Sequence, residues 1–278
     1  MRTLRQSGAL LCIAFLTAAA LVSLFAPFLT RYDPTASEPA QRLRPPSWSA
    51  GGSTKHLFGT DNLGRDVYAR LLYGARLSLL VGLTTVAISA SLGATIGVVA
   101  GYVGGRLDSA LMRLVDVQLS FPFLILAIAV AAVVGAGLTS VILILGIAGW
   151  VVFGRLTRGQ VLSVKQREYV EAAYALGASK IGVIQNHILP NVLSPILVLA
   201  TAMVANNIVL EAALTFLGVG VQPDIPSWGN MLAESRDYLN VAWWMSVFPG
   251  AALTLTVLSV NLLGDWLRDY LDPTLSSV

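Results

Sequence analysis

The chain has 278 residues, of which 55% are hydrophobic and only 12% are charged, whereas about 25% are charged in a typical soluble domain. This composition excludes an ordinary soluble protein and indicates that most of the chain lies in lipid. The net charge of +3 is spread along the chain, so nothing favours binding to nucleic acid. The single cysteine, Cys12, excludes an intrachain disulfide or a cysteine metal cluster.

Six apolar runs predict an all-α membrane protein, because most of them are long enough to cross a hydrocarbon core of about 30 Å as a helix. The first run follows two arginines and lacks a convincing cleavage site, so we interpret it as a retained span with a cytoplasmic N-terminus. Pro122 is expected in the first turn of the third span. The predicted spans are 8–29, 77–102, 119–134, 138–154, 192–217 and 242–263.

Polar segments connect these spans within one predicted transmembrane domain that covers 1–278. A first external loop at 30–75 is rich in turn-forming residues and includes a predicted short surface helix at 67–73. The segment 155–191 is predicted to lie in the cytoplasm, and a second external loop is predicted at 218–241.

The distribution of Lys and Arg supports this orientation. Six spans place both termini on the same side, and the outer turn after the third span has no basic residue. The loop after the fifth span has only Arg236, whereas the first external loop is basic and departs from the rule. The segments assigned to the inside contain Arg2, Arg5, Arg106, Arg113, Arg155, Arg158, Lys165, Arg167, Lys180 and Arg268.

Small residues recur every four positions in the second span, at Ser89, Gly93, Gly97 and Gly101. In lipid, helices associate through close van der Waals contact, and small side chains let two backbones approach. The pattern predicts a face of this span that packs tightly against another helix.

Three polar residues interrupt the fifth span: Asn206, Asn207 and Glu211. An ionisable group inside a span is costly and indicates function by default. Two interpretations of Glu211 stay open. We favour a carboxylate that is hydrogen-bonded to a neighbouring helix or a partner subunit near the outer end of the fifth span, and the alternative is a group that couples protons or contacts substrate. We expect Asn206 and Asn207 to bridge helices.

The long polar interruption in the second half contains an amphipathic segment at 168–190. Gly177 is expected to end a first short helix, and Ser179 to cap a second one. Pro190 then begins the next apolar run. The segment therefore predicts a hairpin with a face that is free to dock onto something outside the membrane. The residues that share one helical face at this spacing are Val170, Tyr174, Gly177, Ile181, Ile184 and Ile188.

Catalytic chemistry is not visible in the sequence. The two histidines, His56 and His187, are far apart, and no HExxH motif or nucleophile elbow is present. None of the three lysines follows a glycine, so the chain has no phosphate-binding GxxxxGK[ST] loop. We therefore expect no catalytic residue and no metal site, and any ATP that drives transport is bound by another protein.

The hairpin resembles the EAA loop of bacterial ATP-binding-cassette importer permeases. Glu171-Ala172-Ala173 is followed by Gly177 and by Leu189-Pro190 at the spacing of that loop. His187 stands where the general pattern has isoleucine, and this ending is similar to the peptide and nickel branch. Further stretches resemble the C-type permeases of dipeptide and oligopeptide systems, at 58–61, 64–66, 72–76, 210–218, 227–231 and 261–273.

This resemblance implies the type I importer permease fold, with six transmembrane helices and both termini in the cytoplasm. It implies a subunit in the bacterial inner membrane that forms a translocation pathway with a homologous B-type permease. Two cytoplasmic ATPase subunits would bind ATP and Mg, so this chain would hold no cofactor, and an external solute-binding protein would deliver the solute.

The resemblance also implies roles for particular residues. External positions that would face the binding protein or cap the pathway are Asp61, Arg65, Asp66, Arg76 and Trp228. Positions that would couple the chain to the ATPase are Arg167, Glu168, Val170, Glu171, Ala172, Ala173, Tyr174, Gly177, Ile181, Leu189 and Pro190.

Alternatives remain at the level of solute and mechanism. Within the same class, the solute could be nickel, glutathione or another peptide-like molecule instead of a di- or oligopeptide. A self-sufficient secondary transporter that uses Glu211 is a second class, but it predicts internal repeats with broken helices, and none is found. A membrane-embedded enzyme lacks catalytic groups.

Overall fold

The computed structural model describes residues 2–271, with side chains from residue 8 onwards. This part of the chain forms ten α-helices and no β-sheet, with one isolated bridge between Thr60 and Asp66. The predicted all-α class is confirmed for these residues. The helices are Arg2–Leu29 (α1), Val67–Val103 (α2), Gly105–Ser120 (α3), Phe123–Val134 (α4), Leu138–Lys165 (α5), Glu168–Ala175 (α6), Lys180–Val183 (α7), Leu189–Phe216 (α8), Trp228–Ser235 (α9) and Trp244–Leu271 (α10).

Five helical stretches in the described residues are long and apolar enough to cross a membrane. A π-helical turn at Ile184–Ile188 joins α7 directly to α8, so that Lys180–Phe216 is one continuous stretch. Helices α3 and α4 meet at an angle of 89°, and the count rises to six if this bent pair forms one span.

The bend between α3 and α4 corrects the predicted third span. Pro122 precedes the first turn of α4 instead of lying within it, and α3 ends at Ser120. Phe121 has an extended backbone with φ −92° and ψ 130°, since a residue before proline is disfavoured in the α region. The chain therefore turns sharply where a single straight helix was expected.

Helix α2 is one unbroken helix of 37 residues, about 55 Å long. The predicted separate surface helix at 67–73 is therefore wrong, because it is the first part of α2. The Asp66 side chain caps α2 by accepting a hydrogen bond of 2.7 Å from the Ala69 amide. Gly74, which could have interrupted the helix, lies against Trp228, and a Cβ at Gly74 would be 3.0 Å from Trp228 Cδ1.

The small-residue face of α2 lies against α5. Ser89 Oγ donates a hydrogen bond of 2.8 Å to the Gly146 carbonyl. A Cβ added at Gly97 would be 2.6 Å from the Gly154 carbonyl oxygen, which is backbone that cannot move aside easily. Gly93 and Gly101 meet α5 in the same way. The two helices are thus in direct backbone contact over three turns.

Replacing Gly97 by alanine should lower the stability of the detergent-solubilised protein by about 1–3 kcal/mol, because the added methyl group overpacks the contact with α5. The measurement is the thermal unfolding midpoint. Gly159→Ala on α5 is the matched control, because a Cβ there meets nothing within 4 Å. Equal midpoints for the two variants would show that the close contact contributes nothing.

Candidate functional site

The hairpin predicted from the sequence is formed by α6, a turn at 176–179 and α7. Gly177 has φ +83°, a conformation that favours glycine. Its amide donates to the Tyr174 carbonyl at 2.9 Å, and the Ala178 amide donates to the Ala173 carbonyl at 3.0 Å, which is a Schellman ending. Ser179 Oγ then caps α7 by accepting from the Gly182 amide at 3.1 Å. The predicted helix stop and helix cap lie where the turn chemistry requires them.

One side of the hairpin is fixed to its own chain. Val170, Val183 and Ile188 are fully buried in a cluster with Val161 of α5 and Val192 of α8. Val170 is therefore unavailable to a partner protein, which corrects its expected direct role in coupling. The apolar stripe seen in the sequence is therefore only partly buried, since Tyr174 and Ile181 of the same stripe are exposed.

The other side of the hairpin is exposed. Leu176 is 89% exposed and Ile181 is 67% exposed, although both are large apolar residues. Glu168 and Glu171 are exposed on the same hairpin. The sequence did not identify Leu176 as a candidate, because its position before Gly177 does not show that its side chain is exposed. The other exposed coupling candidates are Arg167, Ala172, Tyr174, Gly177 and Pro190, while Ala173 and Leu189 are half-buried.

A pair of tyrosines joins the hairpin to α2. The hydroxyl groups of Tyr174 and Tyr102 are 2.7 Å apart, and Tyr102 lies in the last turn of α2. Lys165, the last residue of α5, donates from Nζ to the Tyr102 carbonyl at 2.8 Å. Three helices therefore meet at Tyr102, which the sequence reasoning did not single out.

At the opposite end of α2, four charged residues form a cluster that we call the outer clamp: Asp61, Arg65, Arg70 and Glu234. Asp61 accepts from Arg65 Nε at 2.6 Å and from an Arg70 guanidinium nitrogen at 2.5 Å. Both arginines also bind Glu234 of α9. The clamp therefore joins the first loop, the start of α2 and the loop after α8.

Burial of this cluster corrects the expectation that these residues face a binding protein. Asp61, Arg65, Asp66 and Trp228 are all less than a tenth exposed. Asp66 caps α2 and also lies 2.8 Å from His56 Nδ1, and Trp228 Nε1 donates to the Leu71 carbonyl at 3.1 Å. Of the five candidates, Arg76 alone is exposed. The charged and polar groups of the other four have hydrogen-bond partners within the chain.

The polar residues of the fifth span do not lie together. Glu211 is fully buried, and it accepts hydrogen bonds from Ser78 of α2 at 3.3 Å and from Thr215 at 3.1 Å. Asn207 Nδ2 donates to Thr85 of α2 at 2.8 Å. Both side chains thus bridge α8 and α2, whereas Asn206 is exposed on a different face of α8.

A cavity of about 780 Å³ opens between α5, α8 and α10. Glu211 is not among its lining residues. Polar side chains from all three helices line it, and Ser194 and Asn261 among them lie within predicted spans, where a polar side chain is unfavourable against lipid. The polar lining residues include Gln160, Asn191, Ser194, Asn261, Asp265 and Arg268.

Comparison with known proteins gives this arrangement a context. A family model described as "Binding-protein-dependent transport system inner membrane component" matches residues 93–277. The chain belongs to this family. A second model, the "N-terminal TM domain of oligopeptide transport permease C", matches residues 1–46 of the permease. The predicted C-type permease and its inner-membrane location are therefore confirmed.

Curated relatives match the permease over most of its length. It is 43% identical to the di/tripeptide transport system permease protein DppC of Pseudomonas aeruginosa, over 98% of this chain and 90% of that protein. It is 42% identical to the probable D,D-dipeptide permease DdpC of Escherichia coli, over 91% and 83%. It is 40% identical to the glutathione permease GsiD of Pectobacterium atrosepticum, over 99% and 90%.

Solved structures share the fold of the permease. A chain of the MetNI methionine transporter in an inward-facing conformation matches with a TM-score of 0.62 and 19% identity, over 73% of this chain and 96% of that one. A chain of an amino acid transporter matches with a TM-score of 0.55 and 15% identity.

The final residues of the motif at 261–273, Asp272 and Pro273, lie outside the described residues.

Replacing Glu211 by glutamine should leave transport close to the wild-type rate, because an amide can still hydrogen-bond to Ser78 and Thr215. Glu211→Ala should lower the thermal unfolding midpoint, since buried hydroxyls left without an acceptor cost about 1–3 kcal/mol. Transport rate and unfolding midpoint are measured on the same preparations. A stably folded Glu211→Gln variant without transport would instead indicate proton coupling.

Proposed function

We infer that this chain is the C-type permease of an ATP-driven importer of di- or oligopeptides. The observation that carries this conclusion is the hairpin, which is anchored to its own chain on one side and presents Leu176 and Ile181 on the other. A docking surface needs apolar side chains that its own chain leaves uncovered, and the hairpin supplies them on a segment outside the spans. The relatives named for dipeptide and di/tripeptide transport support the choice of solute.

In this proposal, 1–278 forms one transmembrane domain with six spans and both termini in the cytoplasm. The third span consists of α4 with the end of α3, which meet at Pro122, and the charged residues Arg106, Asp108 and Arg113 of α3 lie on the cytoplasmic side. The sidedness follows from the basic residues of the inner segments. The hairpin then lies in the cytoplasm, and the outer clamp lies on the external face.

The hairpin docks into a groove on a cytoplasmic ATPase subunit. Leu176 and Ile181 supply the apolar contact, and the charged residues Arg167, Glu168 and Glu171 surround it. Two such ATPases bind the ATP and Mg that drive transport, and this chain binds neither. Their closure on ATP moves the hairpin, and the spans change between inward- and outward-facing states as rigid bodies.

The cavity between α5, α8 and α10 forms this chain's part of the translocation pathway. Two of its polar side chains, Ser194 and Asn261, lie within predicted spans and are unsuited to lipid, so a homologous B-type permease covers this side of the molecule. Peptides carry polar amides and charged termini, and amide, hydroxyl and charged side chains are suited to their passage. Outside, the loops joined by the outer clamp form a firm surface for the solute-binding protein, on which Arg76 remains exposed.

Glutathione is the second candidate solute, because a relative with 40% identity is named for glutathione transport. Glutathione is itself a small peptide, so the same pathway chemistry applies. The binding protein selects the solute, and the molecule that co-purifies with it distinguishes the two. Nickel, the remaining alternative from the sequence, has no comparable support.

Reconstitution in proteoliposomes tests the function. Uptake of a radiolabelled dipeptide should require this chain, the second permease, the ATPases, the binding protein and internal ATP together. Omission of the ATPases should reduce uptake to background. Uptake by this chain alone would contradict the proposal and favour a secondary transporter.

Glu171→Lys and Gly177→Pro should each leave membrane insertion intact and abolish at least nine-tenths of ATP-driven uptake. The first reverses a charge at the contact with the ATPase. The second requires φ near −65° at a residue with φ +83° and removes the amide that donates to Tyr174. Co-purification with the ATPase and uptake per ATP are the measurements.

Ser109→Lys on α3 is the control, because it adds a positive charge at an exposed position outside the hairpin. It should retain both ATPase binding and uptake. If Glu171→Lys co-purifies with the ATPase and transports at the wild-type rate, the assignment of the hairpin to coupling is wrong.

A further inference from the structure

Helix α2 connects the two ends of the molecule without a break. Arg70 in its second turn belongs to the outer clamp, and Tyr102 in its last turn contacts the hairpin. The 32 residues between them correspond to about 48 Å of helix axis. Because the backbone hydrogen bonds of α2 are intact from Val67 to Val103, the helix cannot lengthen or shorten, and a movement of one end reaches the other.

The outer end of α2 is held by charge pairs. Arg70 is 2% exposed and lies between Asp61 and Glu234. Asp61 also accepts from the backbone amides of Leu63 and Arg65, at 2.8 Å and 2.9 Å. A displacement of α2 along its axis therefore displaces the 61–65 turn and α9 with it.

The inner end of α2 is held by hydroxyl groups. With the Tyr174 hydroxyl donating to Tyr102 at 2.7 Å, the Tyr102 hydroxyl is free to donate to the Lys180 carbonyl, 3.4 Å away. Tyr174 belongs to α6, and Lys180 is the first residue of α7. One phenol on α2 thus contacts both arms of the hairpin.

The end of α5 fixes the position of that phenol. Lys165 Nζ binds the Tyr102 carbonyl and also lies 5.3 Å from the centre of the Tyr102 ring, a distance at which a cation is attracted to an aromatic face. Lys165 therefore restrains the Tyr102 ring and backbone while the Tyr102 hydroxyl contacts the hairpin. A side chain restrained in this way transmits force better than a mobile one.

We propose that Tyr102 and Tyr174 are positioning residues that couple movement of the ATPase-facing hairpin, through α2, to the external loops that receive the solute-binding protein. This inference depends on the proposed function, since it takes the hairpin to be the ATPase contact. Neither tyrosine touches ATP or solute in this role. They determine how much of the hairpin's movement reaches the other side of the membrane.

A purely local role is the competing explanation, in which the hydroxyl pair only stabilises the hairpin. The two explanations differ at the far end of α2. Local stabilisation predicts that loss of a hydroxyl loosens the hairpin and leaves the external response intact. Transmission predicts that the external response itself decreases.

The experiment uses the complete transporter in lipid nanodiscs and compares wild type with Tyr102→Phe, Tyr174→Phe and the double variant. Hydrogen–deuterium exchange of the segment 57–66 is measured without nucleotide and after trapping with ATP and vanadate. Uptake of radiolabelled dialanine per ATP hydrolysed is measured in proteoliposomes. Tyr270→Phe is the matched control, because the Tyr270 phenol lies at the end of α10, away from the hairpin, and stacks on Trp266.

We expect trapping to change exchange at 57–66 in wild type and in Tyr270→Phe. Tyr102→Phe, Tyr174→Phe and the double variant should each reduce both the change in exchange and the uptake per ATP at least threefold, with the ATPases still bound. The double variant should match Tyr102→Phe, because that change already removes the contacts of the Tyr102 hydroxyl with both Tyr174 and Lys180. Transmission is contradicted if the 57–66 response persists in both single variants, or if the double variant lowers it further than Tyr102→Phe does.

Failure of the proposed function gives a different result. A wild-type assembly that binds no ATPase or shows no ATP-dependent uptake would overturn the importer assignment together with the coupling role. If the wild-type assembly transports, and Tyr102→Phe and Tyr174→Phe take up as much dialanine per ATP as it does, the coupling role alone is overturned.

Discussion

Direct contact between the backbones of α2 and α5 is the constraint on which the other parts depend. Gly97 meets the Gly154 carbonyl with no side chain between them, and in lipid such van der Waals contact replaces water exclusion as the force that joins helices. Helix α8 is attached to this pair by the bonds of Glu211 and Asn207. The hairpin is attached through the Val170 cluster. A rigid pair of helices at the centre allows distant groups to be held in fixed relation.

The two ends of that helix pair differ in which side chains are buried: charged side chains are buried at one end, and apolar side chains are exposed at the other. At the outer end, Asp61, Arg70 and Glu234 form buried ion pairs, where removal of one partner would leave an uncompensated buried charge. At the other end, Leu176 and Ile181 are exposed. The charges of the first arrangement are paired within the chain, with only Arg70 Nε left without a hydrogen-bond partner, whereas the apolar side chains of the second are not covered by the described residues.

Much of this architecture follows from local patterns in the sequence. Apolar length predicts the spans, and the turn chemistry of Gly177 and Ser179 predicts the hairpin, because both depend on residues that are close in sequence. The unbroken α2, by contrast, is not indicated by its own residues, because Gly74 can interrupt a helix, and the contact of Gly74 with Trp228 joins residues far apart in the sequence. The burial of the outer clamp depends on Glu234 lying beside Arg70, 164 residues away. Contacts of that kind are tertiary. The residue types alone show that the loops contain charged residues, but they do not show which of these residues are buried.

The outer clamp also constrains the order in which the protein can be completed during synthesis. Arg70 and Asp61 leave the ribosome long before Glu234, and the rest of α2 and three further membrane spans lie between them if the bent pair is counted as one. Until α9 arrives, the two arginines lack their second carboxylate, and the first loop lacks the contact that holds it to the rest of the chain. This end of the molecule is therefore finished late, after α8 has formed, and a truncated chain that ends before residue 234 would leave both arginines without the Glu234 carboxylate.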